Sequence, residues 1–238
     1  MNILLLGYGK MGKTIERIAI QRGHNIGLTI DFDQQDRFNE IGKQGIDVAI
    51  EFSQPDAAVD NIKHCLTRHI PVLSGTTGWL SRFNEVEEIC SVNRGTFFYA
   101  SNYSLGVNIF FKLNEMLAKI MDGYPEYSLQ MEEIHHLEKK DAPSGTAITL
   151  AEGIIKNMHQ KTKWVNEISN QVENVDIISK RIDKVPGTHT INYVSTVDNI
   201  EIKHTAHSRD GFALGAVMVA EWILDKKGVL GMNDFLKF

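Results

Sequence analysis

Ile3-Leu4-Leu5-Leu6-Gly7-Tyr8-Gly9-Lys10-Met11-Gly12 is the stretch that decides the fold. A short apolar run leads straight into G-x-G-x-x-G, and a mixed segment that reads as a helix follows. Strand, glycine loop and helix in that order give the motif its meaning. Gly7 permits a tight turn, Gly9 lets a pyrophosphate approach the backbone, and Gly12 lets the helix pack closely on the strand. The first helical turn adds free N–H groups and the positive end of the helix dipole. Gly7, Tyr8, Gly9, Lys10, Met11 and Gly12 are therefore expected to hold the phosphates of a dinucleotide.

Working outward, apolar runs at 26–30, 48–50, 72–73 and 97–99 alternate with helical segments near 11–22, 56–68 and 81–93. Such alternation predicts a doubly wound parallel sheet of the Rossmann type. Asp31 stands at the end of the second run, where a carboxylate meets the adenosine ribose and repels a 2′-phosphate. Phe32 follows it rather than arginine, although Arg37 lies close enough in sequence to reach. The expected cofactor is NADH or NADPH, with NADH used at least as well. Gly75, Thr76 and Thr77, and Ala100, Ser101, Asn102 and Tyr103, follow later strands. Carboxyl ends of strands line the crevice in such sheets, so these residues are expected near the nicotinamide and its ribose, with ordinary turn chemistry as the alternative.

Beyond residue 102 the pattern changes. Helices are expected at 107–121, within 141–159 and at 211–224, and strands at 127–135, 175–182, 190–197 and 200–205. This reads as a second α+β domain with a mixed or antiparallel sheet. Residues 1–103 plus 209–238 are expected to form the dinucleotide domain, with the last helix returning to it, and 104–208 the substrate-binding and oligomerisation domain.

The 238 residues, 42% apolar and 23% charged, exclude a disordered chain. A net charge of −5 gives no case for a nucleic-acid partner. The apolar start has no basic flank or cleavage site, and 212–224 is too short to span a bilayer, so a cytoplasmic location is expected. Cys65 and Cys90 read as reduced. His64, Cys65 and His69 match no standard zinc spacing, and no metal is expected.

The chemistry gathers in Glu133-Ile-His135-His136-Leu-Glu-Lys139-Lys140-Asp141-Ala-Pro143-Ser144-Gly145-Thr146. A strand ends in two histidines, a charged loop follows, and a helix starts on small residues. Ser144, Gly145 and Thr146 present successive amides at a helix start, a seat for a carboxylate. His135, His136, Lys139 and Lys140 concentrate cationic and donor groups beside it. The expected site is a pocket for a small dicarboxylate with groups able to deliver a proton.

The run E-x-H-H-x-x-K-x-D-A-P-S-G-T-A closely resembles the signature of the dihydrodipicolinate reductase family. Val185-Pro-Gly-Thr188 and Ser208-Arg209 extend the resemblance, which covers essentially the whole chain. It implies reduction of 4-hydroxy-tetrahydrodipicolinate, in lysine and diaminopimelate synthesis, by NADH or NADPH. By motif, Lys139 would donate the proton and His135 assist, while His136, Ser144, Gly145, Thr146 and Arg209 would bind substrate. It also implies a homotetramer built through the second domain's sheet. The chain departs from other members in a glycine loop one residue shorter than their G-x-x-G-x-M-G form, a shorter 190–202, and Glu138 where a basic residue is common. A related two-domain amino-acid dehydrogenase, or a non-catalytic redox sensor, would share the glycine loop but has no need of the histidine–lysine run.

Overall fold

The computed structural model describes residues 1–41 and 45–238. In chain order the elements are β1 (Asn2–Leu6), α1 (Lys10–Gln21), β2 (Asn25–Ile30), β3 (Val48–Glu51), α2 (Pro55–Leu66), β4 (Val72–Ser74), α3 (Phe83–Val92) and β5 (Thr96–Tyr99). There follow α4 (Leu105–Met121), β6 (Ser128–His135), α5 (Gly145–Asn157), β7 (Lys163–Val165), β8 (Asn174–Arg181), β9 (Gly187–Val194) and β10 (Asn199–Ala206). The chain ends with α6 (Asp210–Trp222), β11 (Gly228–Leu230) and α7 (Met232–Leu236). Two compact units result, Met1–Leu105 with Asp210–Phe238, and Gly106–Arg209.

The first unit is a Rossmann-type sheet of six parallel strands in the order β11-β5-β4-β3-β1-β2. Its strands read as unbroken apolar runs because both faces are covered. Ile3, Leu5, Val48 and Ile50 pack with Ile15 and Ala19 of α1 and Ala216 and Val217 of α6. Leu4, Leu6, Ala49 and Val72 pack on the opposite face with Val59 and Ile62 of α2 and Val86 of α3. Each fully buried Leu, Ile or Val contributes roughly 1.5–3 kcal/mol. Cys65 and Cys90 are free thiols within this second layer, and burial pushes the Cys65 thiol far above its ordinary value. The returning helix α6 sits so close to the loop after β5 that a Cβ on Gly215 would lie 1.8 Å from the Tyr103 carbonyl. β1 lies between β2 and β3, so the strand order reverses there, and in sheets of this kind a ligand crevice lies at such a reversal, outside the carboxyl ends of the strands.

The second unit is a five-stranded mixed sheet, β10-β9-β6-β8-β7, antiparallel across β10, β9 and β6 and parallel across β6, β8 and β7. Its register arranges one face into rows. Ile177, Met131, Ile191 and Ile202 form an apolar row, which joins the core built with α4 and α5. Two residues along each strand the row becomes Ser179, Glu133, His189 and His204. The next begins Arg181, His135. The same side of the sheet therefore changes from core to polar platform.

One expected strand shifts, and three short elements were not expected. The strand placed at 190–197 runs Gly187–Val194, because Ser195–Asp198 closes a tight turn in which Ser195 N–H donates to the Asp198 carbonyl at 2.9 Å. The three-residue strands β7 and β11 and the short α7 carry too few residues for a periodic signal.

Candidate active site

In the first unit the three glycines do distinct jobs. Gly7 has φ of +89°, and a Cβ there would sit 2.1 Å from the Phe52 carbonyl oxygen. A Cβ on Gly12 would lie 2.4 Å from the Gly7 carbonyl. Gly9 has no such neighbour within 4 Å, so its bare backbone faces open space. It also caps α1 without a side-chain bond, which leaves the first-turn amides to a ligand. Tyr8 is fastened by its hydroxyl to Glu16, and Lys13 lies 5.8 Å from its ring centre. Gly7 N–H donates to the Ile30 carbonyl at 2.9 Å, which brings Asp31 beside the loop. This donor and acid set fits a nicotinamide dinucleotide. Arg37 donates to the Thr29 carbonyl at 2.7 Å and pairs with Glu40 at 3.4 Å.

The later loops separate into supports and accessible residues. Glu51 is fully buried at the end of β3. It accepts from Ser53 N–H at 3.0 Å, from Ser74 Oγ at 2.6 Å, from Thr76 Oγ1 at 2.8 Å and from the Ser53 hydroxyl. Thr76 thus turns its hydroxyl inward, while Thr77 is exposed. Gly75 is required by packing, since a Cβ would lie 2.2 Å from the Phe52 ring. Tyr103 is buried and donates to the Ser74 carbonyl at 2.8 Å, and Ala100 is buried. Ser101 and Asn102 are the accessible pair of that loop.

In the second unit Glu133 is the centre of the polar row. It is completely buried, and accepts from Ser144 N–H at 3.1 and 3.2 Å and from Ser179 Oγ at 2.7 Å. Arg181 Nη2 lies 3.4 Å from it, His135 Nδ1 3.4 Å and His189 Nε2 3.6 Å. Burial raises its pKa, but His189, Ser144 and Ser179 outweigh that and hold the carboxyl well below its usual range. His135 is buried with its ring 5.1 Å from that of His189. Its pKa is pushed down to about 4, first by burial and then by His189, Lys139 and Arg181, against the opposing pull of Glu133. His135 is therefore neutral near pH 7. Gly187 makes room for it, since a Cβ there would lie 3.0 Å from Nε2.

Glu133, His135 and His189 offer three ligand atoms within 4.8 Å of one another, the one such trio among the described residues. Glu133 takes its hydrogen bonds from Ser144 and Ser179, while His135 Nδ1 and His189 Nδ1 are buried without a hydrogen-bond partner. Glu133 is already supplied with donors, and a guanidinium stands at its edge where a dication would be repelled.

The helix start expected to seat an anion differs from its sequence reading at Ser144. Ser144 N–H, expected to face a substrate carboxylate, is bonded to Glu133 because a buried carboxylate must be supplied with donors. The Ser144 hydroxyl caps α5 by accepting from Ala147 N–H at 3.2 Å, and lies 3.2 Å from His189 Nε2. Gly145 and Thr146 retain their amides for a ligand, and Gly145 is exposed with nothing within 4 Å of a Cβ position. Lys139, on the loop between β6 and α5, reaches Asp141 at 2.8 Å. His136 is half-buried beside it, and Lys140 exposed. Arg209 is exposed at the end of the unit. Sequence reasoning missed Ser179, Arg181 and His189 as members of this cluster and took Glu133 only as a strand residue. They are spread over β8 and β9 beside Glu133 on β6, and only the register, with Ser179 and His189 two residues past an apolar row and Arg181 four, identifies them.

Comparison with known proteins shows the family to which the chain belongs. A 4-hydroxy-tetrahydrodipicolinate reductase from Christiangramia forsetii is 51% identical over 236 residues, 99% of this chain and 98% of the relative. One from Archaeoglobus fulgidus is 32% identical, over 96% of each chain. The structure of a dipicolinate-bound dihydrodipicolinate reductase from Paenisporosarcina sp. TG-14 superposes with a TM-score of 0.78 at 19% identity, over 98% of this chain and 99% of that one, and so shares the fold. An amine dehydrogenase from Mycobacterium smegmatis, at 8% identity over 96% of this chain and 94% of that one, still reaches a TM-score of 0.54, so the fold alone does not select the reaction. The models of the N-terminal and C-terminal parts of dihydrodipicolinate reductase match residues 1–103 and 106–236, and with them the chain belongs to the dihydrodipicolinate reductase family.

Proposed function

We infer that the chain reduces 4-hydroxy-tetrahydrodipicolinate to tetrahydrodipicolinate with a nicotinamide cofactor, the reaction of its family. The observation that carries the reading of the site is the pairing, on one loop, of the Lys139 ammonium with a helix start whose Gly145 and Thr146 amides are open. The reaction takes up one hydride and one proton and releases one water. A bound dinucleotide would supply the hydride, with Gly7–Gly12 holding its phosphates, Asp31 its adenosine ribose, and Thr77, Ser101 and Asn102 as contacts nearer the nicotinamide. Gly145, Thr146, His136 and Arg209 receive the substrate carboxylates. Lys139 gives the proton. His135, neutral in the free protein, is suited to a hydrogen-bonding role beside it, and a dianionic ligand at this seat would raise its proton affinity.

NADH is the preferred cofactor in this reading. Asp31 faces the ribose position and Arg37 is committed to Thr29 and Glu40, so a 2′-phosphate meets a carboxylate without a free guanidinium. The chain is also read as a homotetramer. The other face of the mixed sheet carries Gln130, Glu132, Ile178, Thr190 and Asn192, all partly or fully exposed, as a broad surface for a second copy. No helix among the described residues is long and apolar enough to cross a membrane.

The direct test follows absorbance at 340 nm while a synthase makes the substrate from pyruvate and aspartate semialdehyde. Turnover with a higher kcat/KM for NADH than for NADPH is expected. Absence of turnover with either cofactor overturns the function, and a strong NADPH preference overturns the cofactor reading alone. Light scattering checks the assembly, with an expected mass four times the 26.8 kDa chain.

A further inference from the structure

The loop 137–143 joins the proton donor to the anion seat, and most of it is exposed: Leu137, Glu138, Lys140, Asp141 and Ala142 all face solvent. A segment with so little buried surface has little of its own to fix its conformation. Leu137 N–H donates to the Asp183 carbonyl at 3.2 Å and Lys139 N–H to the His136 carbonyl at 3.1 Å, and Arg181, at the end of β8 with a side chain only 18% exposed, ties the rest of the loop. Its Nε donates to the Lys139 carbonyl at 3.3 Å and its Nη2 to the Asp141 carbonyl at 2.5 Å. Nη1 and Nη2 lie 3.5 and 3.4 Å from Glu133 Oε1. Glu133 in turn accepts the Ser144 amide at the start of α5. One guanidinium–carboxylate pair therefore grips the loop on both sides of Lys140 and at the residue that caps the helix. Only arginine presents a planar fork able to serve two carbonyls and a carboxylate together. Lysine has the charge without the fork.

We propose that Arg181 is a positioning residue for the reduction: through the Lys139 and Asp141 carbonyls and through Glu133, it sets the distance between the Lys139 ammonium and the Gly145–Thr146 amides. This rests on the reading that Lys139 delivers the proton and that those amides hold a carboxylate. A displacement of about 1 Å at a catalytic group lowers a rate by as much as about 10²-fold, so the loop is a sensitive place to hold.

The test compares Arg181→Lys and Arg181→Ala with the unaltered enzyme in three measurements. Steady-state kinetics is expected to show kcat lowered at least tenfold and KM for the dicarboxylate raised in both variants, with the affinity for NADH unchanged within twofold. Added guanidinium ion at millimolar concentration is expected to restore part of the lost kcat in Arg181→Ala. Hydrogen exchange is expected to accelerate in the peptide spanning 137–143. A merely structural residue would lower Tm and leave the constants of the folded enzyme within twofold. That result, in whichever variant folds, overturns the proposal, and so does unchanged exchange in the loop. The exchange measurement needs no turnover, so it separates failure of this proposal from failure of the functional reading, which the unaltered enzyme alone decides.

Discussion

Acid should weaken the second unit through His135, and the size of the effect follows from its surroundings. An unfolded chain protonates this histidine near pH 6.5, whereas the folded unit resists until about pH 4. A histidine whose folded pKa is depressed leaves the unfolded state holding more protons between those values, so stability falls as pH falls through that window and is unaffected above it. At pH 5 the unfolded state is favoured by about 2 kcal/mol relative to pH 7.5, and the full loss below pH 4 approaches about 3 kcal/mol. The lowered pKa of Glu133 acts in the same direction at lower pH, because its contribution is present above the unfolded carboxyl value and lost below it. The perturbation is His135→Gln, which removes the titration but keeps a polar side chain of similar length. Urea unfolding at pH 7.5, 6 and 5, read by hydrogen exchange of the β6 peptide, reports this unit separately from the first. The variant should begin less stable at pH 7.5 but lose about 2 kcal/mol less than the unaltered chain on going to pH 5. Titrating groups outside this cluster are common to both and cancel in the comparison. Parallel profiles for the two proteins would refute the claim that His135 is held neutral by its setting.

Three further outcomes are expected. Gly9→Ala should leave Tm nearly unchanged but weaken NADH binding about tenfold or more, while Gly12→Ala should lower Tm because its methyl collides with the Gly7 carbonyl; calorimetry and thermal melts check both. Lys139→Ala should lower kcat by about 10²–10⁴ with stability altered by less than about 0.5 kcal/mol, and full activity would remove it from the mechanism. Thr76→Val should cost about 1–3 kcal/mol by depriving the buried Glu51 of a donor, measured by urea unfolding.

The parallel sheet was legible because its signals are local. Leu6-Gly7 marks a strand end, Gly12 a helix packing contact, and Asp31 the end of the next strand, each within a short window. The Lys139–Thr146 loop was legible for the same reason. Neighbours that meet only through sheet register were not. His189 looks like any polar strand residue until β9 pairs with β6 and sets it opposite Glu133. Arg181 reads as one of two adjacent cations until β8 ends beside the same loop. The Ser144 amide was assigned to substrate because nothing local revealed a buried carboxylate eleven positions earlier that takes it. Thr76 and Tyr103 sit in loops of the expected composition, yet their hydroxyls serve the Glu51 cage and the Ser74 carbonyl, and composition does not report which way a side chain turns.

That cage has a consequence for how a cofactor is received. The hydroxyls of Ser53, Ser74 and Thr76 all donate to one carboxylate, and two are fixed from behind as well, Ser53 Oγ by Asn61 at 3.1 Å and Thr76 Oγ1 by Ser53 N–H at 2.9 Å. One carboxylate gathers all three hydroxyls, so the loops after β3 and β4 are tied into one piece before any ligand arrives. The conformational freedom given up on association then belongs mostly to the dinucleotide, whose two halves must be ordered, and little of it to the protein.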